Sequence, residues 1–134
     1  MTDSNTVKKS RSGVRRLIDA FRYSYAGFRH AIWHEVAIRE ELIVFAVLAP
    51  VSVMFHVSKI EHLMLVLTMM LVVLVEFINS AIESTVDRIS MDRHPLAGQA
   101  KDLGSAAVLI SLVMWALAWA VIVGPLVLHA IQRN

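Results

Sequence analysis

The sequence predicts an all-α membrane protein: an N-terminal amphipathic helix in the membrane interface, then three transmembrane helices. Three observations carry this. Of 134 residues, 57% are hydrophobic, above the roughly 45–50% of soluble domains. The hydrophobic residues gather into long runs of membrane length. The basic residues are lopsided, since eight of 13 Lys and Arg (Lys8, Lys9, Arg11, Arg15, Arg16, Arg22, Arg29, Arg39) precede residue 40. The length fits a single domain. The absence of cysteine excludes a disulfide scaffold, a thiolate zinc site and a cysteine nucleophile.

Residues 1–13, polar and basic, read as a disordered tail, and 14–134 as one domain. In the arm after the tail, Val14, Leu17, Ile18, Phe21, Tyr25, Phe28 and Ile32 keep within an arc of about 100° at 3.6 residues per turn. Arg15, Arg16, Asp19, Arg22, Arg29 and His30 take the other side. An apolar stripe beside an arginine-rich face predicts an interfacial helix over about 14–34. The apolar runs behind it direct the basic arm to an anionic lipid surface and away from nucleic acid.

Spans are predicted at about 42–57, 63–86 and 103–131. The second holds the clearest run, Leu63 to Ile82, whose 20 residues match a bilayer core of ~30 Å. The third runs from Leu103 to Ile131 without a charge; it is longer than a span requires, so it should tilt, bend at Gly124-Pro125 or leave the membrane. The first is short and carries Pro50. Charge decides in its favour. With three crossings, the arm and the loop 87–102 share one side and hold eleven Lys and Arg, against Lys59 and Arg133 on the other. That places the N-terminus in the cytoplasm.

The second span carries the chemistry. Glu76, Asn79, Glu83 and Asp87 are spaced i, i+3, i+7, i+11, one stripe within roughly 80° that runs ~17 Å along the axis. A carboxylate in hydrocarbon costs at least ~2.5–3.5 kcal/mol, and such acids mark function more often than helix packing. Hard oxygen ligands suit Mg²⁺. A desolvated Glu76 has the raised pKa of a general base. The stripe therefore suits phosphoryl transfer to a lipid alcohol, and equally proton translocation. Glu35, Glu40 and Glu41, at the end of the arm, offer further acids; Glu35 should stand where arm and first span meet. Lys101, Asp102 and Ser105 open the third span beside the stripe's mouth. No P-loop or soluble-kinase signature is present.

Val75-Glu76-Phe77-Ile78-Asn79-Ser80-Ala81-Ile82-Glu83, continuing to Val86-Asp87-Arg88, resembles the signature of the small prokaryotic integral-membrane diacylglycerol kinases. Ala100-Lys101-Asp102-Leu103-Gly104-Ser105-Ala106-Ala107-Val108-Leu109-Ile110 resembles their second block, and Tyr23-Ser24, Gly27, Arg29, Glu35, Arg39 and Glu41 fit the arm. The resemblance covers roughly residues 14–115, with one departure at Arg93-His94-Pro95, where a proline enters the loop. It implies a homotrimer in the bacterial cytoplasmic membrane that phosphorylates diacylglycerol with MgATP to give phosphatidate. Glu76 would be the general base, and Glu35 and Glu83 would hold Mg²⁺. Arg16, Tyr23, Asn79, Asp92, His94, Lys101 and Asp102 would line the nucleotide site with those two acids. Arg16, Ser24, Arg29, Arg39, Glu41 and Ser105 would shape the lipid side around Glu76. Undecaprenol is the neighbouring choice of acceptor, and a proton-conducting subunit is a reading from another class.

Overall fold

A computed structural model describes residues 13–89 and 94–133. The tail expected over 1–13 lies, apart from Gly13, outside them, as does Asp92. Among the described residues five helices succeed one another: α1 Gly13–His34, α2 Val36–Met54, α3 Lys59–Ile89, α4 Pro95–Ile122 and α5 Gly124–Gln132. The most extensive packing joins α3 to α4; α2 lies on α3, and α1 on α2.

Helix limits are set by local chemistry, while the apolar runs mark only the stretch suited to lipid. At the start of α3 the Ser58 N–H donates to Glu61 Oε2 (2.7 Å), and the Glu61 N–H donates back to Ser58 Oγ (3.2 Å). This reciprocal cap satisfies two end donors and starts the helix four residues before the predicted span. His94 caps α4, its Nδ1 accepting from the Leu96 N–H at 3.2 Å. Pro95 then occupies the first turn, where its missing N–H costs nothing. The third apolar run breaks at Val123. Pro125 has no N–H to offer the turn before it, and the break falls just ahead of Gly124-Pro125, at Val123, whose backbone stays in the right-handed helical region (φ −92°, ψ −32°).

Among the described residues two helical stretches are long and apolar enough to cross a membrane: α3, and α4 with α5. The 31 residues of α3 extend ~46 Å at 1.5 Å per residue, beyond a ~30 Å hydrocarbon core. Their apolar side chains are not hidden. Leu67, Met70, Leu74, Leu109, Ile110 and Leu117 are exposed, while among the described residues the buried hydrophobic set is Ala31, Ile38, Leu65, Met69, Val72 and Val123. Apolar surface on that scale, on helices of membrane length, suits lipid and other apolar neighbours. The protein is a membrane protein. The shorter α2 opens with Arg39, Glu40 and Glu41 within its first two turns.

Candidate active site

The acidic stripe faces inward and is graded along α3. Glu76 and Asn79 are buried, at 7% and 8% exposure; Glu83 is half-buried and Asp87 exposed. Asn79 Nδ2 donates to Glu83 Oε1 at 3.1 Å, the i, i+4 reach that one helix face allows. Glycine at 104 lets α4 come close. A Cβ built there would run into Asn79 Oδ1, so the missing side chain leaves the room in which the Asn79 amide stands. One further turn along, Lys101 Nζ meets Asp87 Oδ1 at 2.6 Å. Lysine and stripe therefore share one mouth.

Other elements bring more acid. Glu35 is the single extended residue between α1 and α2 (φ −101°, ψ 113°), held by its N–H to Ala31 O at 2.8 Å. It stands at the corner where α1 meets α2. The charges that act on Glu76 are those of Glu83 and Glu35, and Glu41 in turn feels Glu76. An open cleft of about 410 Å³ is lined by Ala37, Glu40, Glu41, Glu76, Asn79, Ser105, Val108 and Leu112. It thus takes residues from α2, α3 and α4. Beside it, sharing Glu40, Glu41 and Leu112, a smaller apolar cavity is walled by Val44, Phe45, Met69, Val72, Val73 and Trp115.

Of the residues singled out from the sequence, Glu41, Glu76, Asn79 and Ser105 line the cleft, and Glu35 and Glu83 act on it. Lys101 joins the mouth through Asp87. Arg16, Tyr23, Ser24 and Arg29 are exposed along α1, Arg39 on α2 and Asp102 on α4. None of these six lines the cleft. His94 serves as a helix cap. Ala37, Val108 and Leu112 were not singled out, because periodicity reports which face is apolar but not which neighbour it meets. Glu40 lines the cleft, although its position in the sequence suits a solvated turn equally well.

A divalent hard cation fits this donor set. Carboxylates that act on one another in a buried site are costly together unless positive charge joins them. Asn79 Oδ1 and Glu41 Oε2 are buried oxygens without a hydrogen-bond partner. Among the described residues no group of three or more His, Asp or Glu forms a ready-made cage. Mg²⁺ does not need one, since it is usually held by one or two carboxylates with phosphate oxygens and water.

Residues 22–123 match the family model described as prokaryotic diacylglycerol kinase. A diacylglycerol kinase of Pseudomonas aeruginosa is 42% identical over 114 residues, covering 85% of this chain and 93% of its own. That of Escherichia coli K12 is 40% identical over 111 residues, with 83% and 91% covered. That of Helicobacter pylori strain 26695 is 38% identical over 120 residues, with 89% and 92% covered.

Proposed function

Because the chain belongs to the prokaryotic diacylglycerol kinase family, and is a lipid kinase of it, we propose that it transfers the γ-phosphate of ATP to 1,2-diacylglycerol, giving phosphatidate. Glu76 is the general base. It takes the proton of the lipid hydroxyl as that oxygen bonds to the γ-phosphorus, and ADP leaves with the electrons of the broken P–O bond. Glu35 and Glu83 hold Mg²⁺, which when bound neutralises phosphate charge. Asn79 fixes Glu83 through its amide. Lys101, Asp102, Arg16, Tyr23, Asp92 and His94 serve the nucleotide; Arg16, Ser24, Arg29, Arg39, Glu41 and Ser105 serve the lipid.

The observation that carries this reading is Glu76 itself, a carboxylate at 7% exposure whose charged neighbours are the acids Glu83 and Glu35. A cluster of that kind is expensive as scaffold and useful for a metal–phosphate. In the same reading α1 lies in the interface against anionic lipid, and α2 is a third span. Basic charge then faces the bacterial cytoplasm with the N-terminus. The protein works as a homotrimer, which would cover much of the exposed apolar surface.

The test is transfer of labelled γ-phosphate in mixed micelles, with diacylglycerol and undecaprenol in separate tubes. Labelled phosphatidate that is absent without Mg²⁺ supports the proposal. Label on undecaprenol alone replaces the acceptor, and label on neither puts a proton pathway through Glu76 first.

A further inference from the structure

Three of the four carboxylates of the cluster need no help to find one another. Glu76 and Glu83 share α3, and Glu41 lies on α2, which packs along α3. Glu35 differs. It sits at the α1–α2 corner, and a corner is where small rotations of a surface helix are felt most. Among extensive helix contacts α1 has only α2. Its one ring contact with α3 is Phe28 against Phe77, centroids 4.9 Å apart at 62°, the edge-to-face arrangement that aromatic quadrupoles favour.

The two rings are placed to govern that corner. Phe28 and Ala31, at i and i+3, share one face of α1; Ala31 is buried at 4% exposure, and the N–H of Glu35, the extended residue that follows α1, donates to the Ala31 carbonyl at 2.8 Å. On α3, Phe77 comes directly after Glu76, so a ring docked on Phe77 brings the Phe28 face to the level of the base. Phe28 remains 51% exposed. One side of the ring is thus free for the apolar stripe of α1, while its edge contact with Phe77 fixes the chain one turn before Ala31 and two before Glu35.

We propose that the Phe28–Phe77 contact is the joint that sets Glu35 against Glu76, making both phenylalanines positioning residues for the metal side of the site. This rests on the kinase reading for its consequence, though not for its geometry. Loosening the joint leaves Glu76, Asn79 and Glu83 in place on one helix. The loss therefore falls on the Mg²⁺ requirement and spares kcat at saturating metal.

The absence of cysteine from the chain makes a direct test clean. Spin labels on cysteines introduced at Ala26 and Ser84, with labelled chains diluted in unlabelled ones, report the α1–α3 distance in the full-length protein. Phe28→Ala and Phe77→Ala should broaden that distribution, while Phe28→Tyr, which keeps the ring, should preserve it. In parallel, half-saturating Mg²⁺ should rise about two- to twelve-fold in either alanine variant, the equivalent of 0.5–1.5 kcal/mol at 1.36 kcal/mol per tenfold. The double variant should be no worse than the worse single. An unchanged distance distribution overturns the joint. A broadened one with unmoved Mg²⁺ dependence, or losses that multiply in the double variant, overturns the positioning role. A wild-type chain that transfers no phosphate defeats the kinase reading, while the distances still judge the joint.

Discussion

The α3–α4 pair has two halves that differ in how they treat polar groups. In the apolar half, Thr68 Oγ1 donates to the carbonyls of Met64 and Leu65 at 3.0 Å, and Ser111 Oγ donates to Val108 O at 2.7 Å. Each hydroxyl is satisfied by its own helix and asks nothing of a neighbour. In the acidic half Thr85 Oγ1 does the same toward Ala81 O at 2.7 Å, but here bonds also run between side chains: Asn79 to Glu83, and Lys101 across to Asp87. Asn79 Oδ1 there is left without a partner. The apolar half has its own exceptions in the indole N–H groups of Trp115 and Trp119, buried without acceptors on rings 6.4 Å apart. On the proposed reading, the difference separates polarity that a helix absorbs by itself from polarity that serves a ligand. Substitutions in the two halves should consequently differ in kind.

The largest expected effect is Glu76→Gln. The amide keeps the shape but cannot take a proton, so kcat should fall about 10²–10⁴-fold, with KM for MgATP little changed. Initial rates across MgATP concentrations check this. A large rise in KM with a modest loss of kcat would move Glu76 from base to metal ligand.

Next comes Gly104→Ala. The new methyl would enter the place of Asn79 Oδ1, so either α4 moves away or Asn79 turns and loses Glu83. Overpacking of this kind costs about 1–3 kcal/mol. Thermal unfolding in detergent should show that loss, and half-saturating Mg²⁺ should rise because Glu83 is freed. A variant with native stability and native metal dependence would show that the two helices do not depend on this approach.

The stripe could be read from the sequence because its physics is one-dimensional: positions 76, 79, 83 and 87 share a face of any α-helix. Glu35 at the corner was legible in the same way, from where the arm's periodicity stops. The Ser58–Glu61 cap was equally legible as S-x-x-E, although the apolar run beginning at Leu63 drew the boundary later. What could not be read depends on which faces meet. Nothing in the sequence pairs Gly104 with Asn79, Phe28 with Phe77, or Ala37 with Leu112 across one cleft. The same limit explains Arg16 and Tyr23. The pattern of α1 defines an arginine-bearing face, but the direction in which that face turns depends on how α1 docks.

The smallest expected effect sharpens the contrast between the halves. Thr68 is buried at 8% exposure, close to Asn79 in burial, so burial alone would rank the two sites together. Their bonding ranks them apart. Removing the Thr68 hydroxyl leaves behind only backbone carbonyls that can keep their helical N–H partners, so no buried group is orphaned and the cost should stay within about 1 kcal/mol. Thr68→Val also keeps the β-branched shape and suits an apolar surround. Unfolding in detergent and phosphoryl transfer should both remain near wild type. If Thr68→Val instead cost as much as Gly104→Ala, the apolar half would be carrying part of the site, and the division between the two halves would fail.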